Sequence, residues 1–448
     1  MAQFRKDTNQ YLRDGKTIFE VVMLADQAGN IIGPANPSGM AVDAFGRARV
    51  SNPFTLFDSF HRYADNGKAS TANSATGSSF YHDANSGSIV CSLDTSNNSY
   101  VYRETNRVFA YQPGKSLQIL NTFVLAPKKP GLRQRFGYFG AQNGFFLEVD
   151  GNDVYFVKRS FSTGTLVETR VAQADWNVDI MDGSNTGLPQ PDGTPITNRN
   201  PSGLTLDLSK AQILFHDVEW LGVGSTRVGF VIDGQLIHCH SWHNANQANN
   251  TYMTTGCLPV RAEIQNTANT DNASNLRIIC TTVISEGGYE LRGKARSIGH
   301  EPNSVYDLTT AGTYYPVAAI RLKSERADGI VIPKTVDVVG IASAGSVLKY
   351  RVISGATVSG GQWVSAGSDS SVQYNMNATS FSGGTEFKTG YVTVTNQSSS
   401  PVSLGDDTFK YQLERNSFAN TNTVFLIAVA GQKDGNDTLV SLGWEEVT

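Results

Sequence analysis

The sequence predicts an all-β protein. Its centre is a jelly-roll or β-sandwich domain, with an N-terminal arm before it and a second, C-terminal β-sandwich domain after it. Three observations predict this. Short apolar or alternating runs recur along the chain, separated by clusters of Gly, Asn, Asp and Ser. Helical periodicity is nearly absent. Asp-Gly pairs fall between strand-like runs, where both central residues of a tight hairpin turn need positive φ.

Taken in order, residues 1–52 are mixed, and Gly29-Asn30, Gly33-Pro34 and Pro37-Ser38-Gly39 break every run. The stretch from Asp7 to Leu24 reads as one short helix or equally well as extended chain. We read 1–52 as an attachment arm that orders only against something else. Phe54, Leu56 and Phe57 expose apolar side chains unless they dock, which makes them the candidate assembly residues. Residues 53–290 form the large aromatic-rich β domain. Its runs include 117–125, the pair 145–149 and 154–158, and the consecutive strands 211–219, 226–232 and 235–240, the last two joined by Asp233-Gly234. These three strands are expected to make the central sheet. Ile213, Phe215, Val228, Phe230 and Ile232 are expected on its apolar face, and Trp176 and Trp220 as core anchors. Runs at 260–264 and 276–285 close the domain. A polar loop at 181–203 is long enough to be a binding excursion. Residues 291–302 read as a linker. Residues 303–448 form the second β domain, with runs at 317–323, 348–353, 387–396 and 424–430.

Composition limits function. The 448 residues carry 36 basic and 40 acidic side chains, a net charge of −4, which argues against a protein built to neutralise phosphates. No run of about 20 apolar residues is present, so no membrane partner is expected. The start is polar, without the apolar segment of a secretory signal. Synthesis and folding in a reducing cytoplasm follow as the expectation, with Cys91, Cys239, Cys257 and Cys280 as free thiols. No C-x-x-C spacing suggests zinc.

Candidate chemistry is sparse. His238 and His240 would share one face of a regular strand and could hold a metal, as on the threefold axis of a trimeric fibre. Two ligands are a weak signal against the usual three or four, so no metal is assigned and the polar face of a hairpin is preferred. Asp175, Asp179, Asp182 and Asp192 are oxygen-rich, but their spacing does not match a calcium loop, and Asx turns explain the Asp-Gly pairs. Asp182 and Asp192 remain candidates only as members of the binding loop. Glu148 with Asp150, and Asp217 with Glu219, are same-strand carboxylates that a glycosidase would need, although surface charge on a sheet explains them better. No G-x-S-x-G elbow exists, and His61 near Asp58 and His82 beside Asp83 lack a nucleophile. Leu221-Gly-Val-Gly-Ser-Thr-Arg227 fails as a phosphate loop. The basic stretch Lys128 to Arg135 reads first as a charged turn. No catalytic residue and no cofactor are assigned.

Several blocks carry a resemblance. Ala44-Phe-Gly-Arg-Ala-Arg-Val-Ser-Asn-Pro-Phe-Thr-Leu-Phe-Asp58 with Arg62-Tyr63, Trp176 to Ser184, Ser202 to Ile213, Glu219 to Gly224, Arg227 to Gly234 and Thr281 to Tyr289 resemble a family of tailed-phage virion structural proteins, common among marine and cyanobacterial phages. The resemblance covers residues 40–290, with 320–323 and 330–333 as a weaker extension. It implies a particle component of tail fibre, baseplate or capsid-attached type, without enzymatic activity and with no catalytic motif to carry over. The implied location is the virion, after assembly in the host cytoplasm. The implied partners are other virion proteins and further copies of the chain, a trimer among the options. The competing expectations are a carbohydrate-binding module that engages a host-surface glycan and, behind it, a glycan depolymerase.

Overall fold

The computed structural model describes residues 11–13, 18–20, 52–183, 200–290, 292–341, 345–394, 402–403 and 412–447. The chain divides into Met1–Pro53 and Phe54–Thr448. In the first unit, β1 (Tyr11–Arg13) and β2 (Ile18–Glu20) pair antiparallel, so this stretch is extended rather than helical. The rest of the expected arm lies outside the described residues.

The second unit is all-β. Its described residues contain no α-helix, only single 3-10 turns at Gln173–Asp175 and Ser324–Arg326. The strands up to Glu286 are β3 (Phe54–Phe60), β4 (Ala69–Asn73), β5 (Ser78–Asp83), β6 (Ser88–Leu93), β7 (Tyr100–Thr105), β8 (Ser116–Val124), β9 (Leu132–Phe139), β10 (Gly144–Asp150), β11 (Asp153–Ser160), β12 (Val167–Ala172), β13 (Gln212–Val218), β14 (Thr226–Ile232), β15 (Gln235–Trp242), β16 (Val260–Asn266) and β17 (Ser274–Glu286). They make two antiparallel sheets. One has the order β12-β11-β10-β9-β16-β7-β4; the other has the order β15-β14-β13-β8-β17-β6-β5, with β3 also paired to β17. Their inner faces share one core that includes Phe123, Phe136, Phe145, Phe156, Trp176 and Phe230.

Strand alternation builds this sandwich. On β10, Phe145, Leu147 and Val149 point into the core, while Phe146, Glu148 and Asp150 face outward. The Asp233-Gly234 turn has φ of 51° and 75°, as a primed hairpin turn requires. Strands β13 to β15 do not form the middle of a sheet as expected; they form one end of the eight-stranded sheet, and β15 is its edge. The face of β13 is also shifted by one residue. Leu214 and Val218 join the core, whereas Ile213 is 37% exposed and Phe215 lies on the opposite face, closed over by Gly229.

The expected assembly residues belong to the sandwich. Strand β3 pairs with β17, so Phe57 is 4% exposed and sits in the core, and Leu56 packs against it. Phe54 stays 40% exposed and stacks on Tyr289. The expectation that these side chains stay exposed unless they dock is therefore corrected for Leu56 and Phe57, which ladder pairing and core packing hold within the chain, while Phe54 remains exposed.

The remaining strands are β18 (Lys294–Gly299), β19 (Tyr306–Leu308), β20 (Tyr315–Leu322), β21 (Ile330–Ile341), β22 (Ser346–Ser354), β23 (Thr357–Ser359), β24 (Val364–Ser365), β25 (Val372–Asn375), β26 (Ser380–Ser382), β27 (Thr385–Val394), β28 (Val402–Ser403), β29 (Arg415–Asn416), β30 (Thr421–Asn422), β31 (Phe425–Gly431) and β32 (Asn436–Val447). A five-stranded sheet centred on β32 and β21 faces a six-stranded sheet of order β24-β25-β20-β31-β22-β27. Their core includes Val317, Tyr350, Phe425 and Trp444. The expected linker 291–302 contains β18, which pairs with β32 along Lys294–Gly299 and belongs to this second sandwich.

Candidate functional site

The chemistry of the chain is concentrated on the outer face of the seven-stranded sheet. Alternation brings outward one row from five strands: Tyr155 on β11, Glu148 on β10, Arg135 on β9, Glu263 on β16 and Tyr102 on β7, each directly opposite the next. The adjacent row is Val157, Phe146, Gly137, Arg261 and Glu104. Charges of opposite sign therefore stand across neighbouring strands, where cross-strand pairs contribute most.

They form a continuous lattice. Arg135 Nε donates to Glu148 at 2.5 Å, and its other nitrogens reach Glu168 at 3.3 Å and Glu263 at 3.5 Å. Glu148 also meets Arg170 at 2.9 Å, and Arg170 meets Asp150 at 3.6 Å. Glu168 meets Arg159 at 2.7 Å, and Arg261 joins Glu263 at 2.7 Å to Glu104 at 2.9 Å. Arg415, on the β29–β30 hairpin of the second sandwich, ends the chain of contacts on Glu104 at 2.7 Å and Asp328 at 2.6 Å.

Apolar groups hold this lattice in place. Phe139, Phe146 and Val157 form a small cluster on the same face. The Arg135 guanidinium lies 5.1 Å from the Phe146 ring, Arg159 lies 5.0 Å from the same ring, and Arg261 lies 5.1 Å from Phe418. Glu148 is fully buried. Burial pulls Arg135 toward neutrality, but Glu148, Glu263 and Glu168 outweigh it and hold its pKa above the ordinary value. Burial raises the Glu168 carboxyl, and Arg135 and Arg159 more than reverse that, leaving it below its usual range.

The same hairpin fastens the two sandwiches. Arg415 N donates to Asn106 O at 2.7 Å, Gln412 Nε2 donates to Val108 O at 3.1 Å, and Arg107 meets Glu414 at 3.2 Å. Val108, Ala110, Ile330 and Ile332 close an apolar seam beside them.

The sequence-derived candidates fall as follows. His238 and His240 are separated by a β-bulge at Cys239. His238 pairs with Gly229 and His240 with Val228, which are successive residues on β14, so the two imidazoles leave on opposite faces. His238 Nε2 contacts Ser241 Oγ at 2.8 Å, and His240 Nδ1 accepts from Asn177 N at 3.2 Å. Burial lowers both, His240 to about 4. Among the described residues, no group of three His, Cys, Asp or Glu could hold a metal.

Asp182 accepts from Asn200 Nδ2 at 3.2 Å and bridges to Thr205, while Asp179 accepts from Met181 N and Ser202 N, both at 2.9 Å. This end of the loop is thus held by backbone capping. Asp192 and most of 181–203 lie outside the described residues. Glu148 and Asp150 share Arg170, and Asp217 is bound by Arg227 in an open groove of about 470 Å³ that Glu219 and Lys115 also line. His61 is buried with Asp65 4.0 Å away, and Asp83 is held by Arg277. The Lys128 to Arg135 stretch is a turn only as far as Gly131; from Leu132 it is β9, and Arg135 is buried. Reading it as one charged turn missed the lattice. A signal was present in the alternation of Arg133 and Arg135 with Leu132, Gln134 and Phe136.

No family model and no curated protein matches the chain. Among solved structures, it is similar to the Emp47p carbohydrate recognition domain at 13% identity and TM-score 0.33, covering 56% of this chain and 100% of that one. It is similar to the CBM2 module of the evolved Dit of Lactobacillus casei BL23 phage J-1 at 7% identity and TM-score 0.34, covering 54% and 100%. It is also similar to arcelin-5, a lectin-like defence protein of Phaseolus vulgaris, at 9% identity and TM-score 0.29, covering 54% and 100%. Likeness at these TM-scores does not bear on what the chain does.

Proposed function

We propose that this chain is a non-enzymatic structural component of a tailed-phage virion, located in a tail fibre, baseplate or capsid-attached position and assembled in the host cytoplasm. It packs its sheets against further copies of itself and against other virion proteins. The observation that carries the reading is the arginine–carboxylate lattice. Each carboxylate in it, from Asp328 through Glu104 and Glu263 to Glu148 and Glu168, is bound by at least one arginine. A glycosidase needs one carboxyl kept protonated and the other free. Here the most buried carboxylate, Glu148, lies between the Arg135 and Arg170 guanidiniums, which fix its position, so it is not free. Such a face suits a rigid plate better than a reactive cleft. The sequence blocks resembling virion proteins support the same reading.

The test has two parts. Sedimentation of the purified chain should give a stable oligomer, and imaging of intact particles with an antibody to the chain should place it at fixed, symmetric positions. A chain that stays monomeric at high concentration, is missing from particles and hydrolyses a glycan would overturn the proposal.

A further inference from the structure

The outer face of the six-stranded sheet carries a different chemistry. Ile320, Leu348, Tyr350, Val352 and Phe425 point into the core, so the alternate residues Arg321, Lys349, Arg351, Leu426 and Ala428 face outward. The centre of this outer face is apolar, made by Ala319, Ile353, Leu426 and Ala428 with Tyr314, Trp363, Val358 and Phe381 packed on it. Around that centre stand three pairs, each of a cation and an aromatic ring. Arg321 lies 4.1 Å from the Trp363 ring centre, Arg351 lies 3.8 Å from Tyr314 and Lys349 lies 5.4 Å from Tyr391. Tyr391 is 68% exposed.

Charge on this face is unbalanced. Arg351 pairs with Glu386 at 3.0 Å. Arg321 reaches only the Gln373 amide oxygen at 3.3 Å, and among the described residues neither it nor Lys349 has a carboxylate within ion-pair distance. Arg321 follows Ile320, which pairs with Phe425 of β31, whereas Arg351 on β22 pairs with Ala428, so the two lie two strand spacings across and four residues along the sheet, about 17 Å apart. Gln373 stands opposite Arg321, and Ser365 stands opposite Gln373, adding an amide and a hydroxyl to the row.

We propose that this face binds an anionic polysaccharide, such as a polyuronate. Tyr391, the exposed ring of the three, offers a flat surface to the C–H face of a sugar. The cations take the repeating negative groups, and the amide and hydroxyl donors meet ring hydroxyls. A peptide is a poorer occupant, because it gains affinity from unpaired backbone at a sheet edge, whereas Arg321 and Arg351 lie on interior strands whose backbones are already paired. The proposal goes beyond the virion reading and holds whether or not that reading does.

The experiment is titration of the full chain with alginate, with neutral dextran and poly-glutamate as comparisons. Alginate should bind, and more weakly as salt rises. Arg321→Gln combined with Lys349→Gln should weaken it at least tenfold, and Tyr391→Ala should weaken it several-fold with the circular dichroism unchanged. Equal binding of dextran, equal binding of poly-glutamate, or variants that bind alginate as the natural chain does would each overturn the proposal. None of these results alters where the chain is found in a particle, so the two readings fail separately.

Discussion

Arg135→Met is the sharpest perturbation of the lattice. Five arginines (135, 159, 170, 261 and 415) face six carboxylates (104, 148, 150, 168, 263 and 328), so the lattice carries −1, and the substitution takes it to −2. Removing one partner from a buried ion pair costs about 3–5 kcal/mol. Three contacts are lost, but the losses do not add, because each carboxylate keeps another arginine: Glu148 keeps Arg170, Glu168 keeps Arg159 and Glu263 keeps Arg261. The pair term therefore falls at the low end, about 3 kcal/mol, and the stack on Phe146 adds up to about 1 kcal/mol. Urea unfolding at pH 7, followed by tryptophan fluorescence, measures the sum. The loss should persist in 1 M salt, since buried pairs are weakly screened. Arg292→Met breaks an exposed pair with Glu290 and should leave the unfolding midpoint unchanged. A stability for Arg135→Met within about 1 kcal/mol of the natural chain would refute the lattice as the element that holds this face.

Acid should weaken the fold before its carboxylates titrate. Burial, aided by Arg103 and opposed by Asp65, holds His61 at about 4, and burial holds His216 at about 3. The unfolded chain takes up these protons near pH 6.5, so stability falls as pH drops from there through the folded values, by about 3 and about 5 kcal/mol at the limit. An unfolding midpoint that is flat from pH 7 to 4 would contradict this, and His216→Leu should flatten part of the slope. Arg415→Ala removes the tie to Glu104 and Asp328 and should split one calorimetric transition into two; an unchanged single transition would count against coupling through this hairpin. Of the four cysteines, Cys280 is exposed, whereas Cys91 is buried and pushed up to about 12, so an aromatic disulfide reagent should label Cys280 first and all four only in denaturant. Fast native labelling of Cys91 would show the core to be open.

Much of the strand inventory is legible in the sequence because alternation is a local property. The runs at 145–149, 154–158, 226–232 and 235–240 coincide with β10, β11, β14 and β15 to within a few residues. Strands whose outward positions are charged were harder to see. β9 alternates Arg133 and Arg135 with Leu132, Gln134 and Phe136, while β7 and β32 set polar and charged residues among apolar ones, and these read as loop polarity until the partner strand is known. The linker at 291–302 failed for the same reason, since Lys294 to Gly299 looks polar and becomes a strand only through twelve-residue β32. The bulge at Cys239 has no signature in His238-Cys-His240, yet it turns one imidazole to each face.

The lattice was hidden by sequence distance. Glu104, Arg135, Glu148, Glu168, Arg261 and Arg415 come from six different strands, and only strand order and register bring them together. Their worth is better judged as specificity than as stability. A row of Phe139, Phe146 and Val157 alone would make a flat apolar outer surface that any sheet could cover. Arginines seated on those rings, each needing particular carboxylates from neighbouring strands, penalise every register but one.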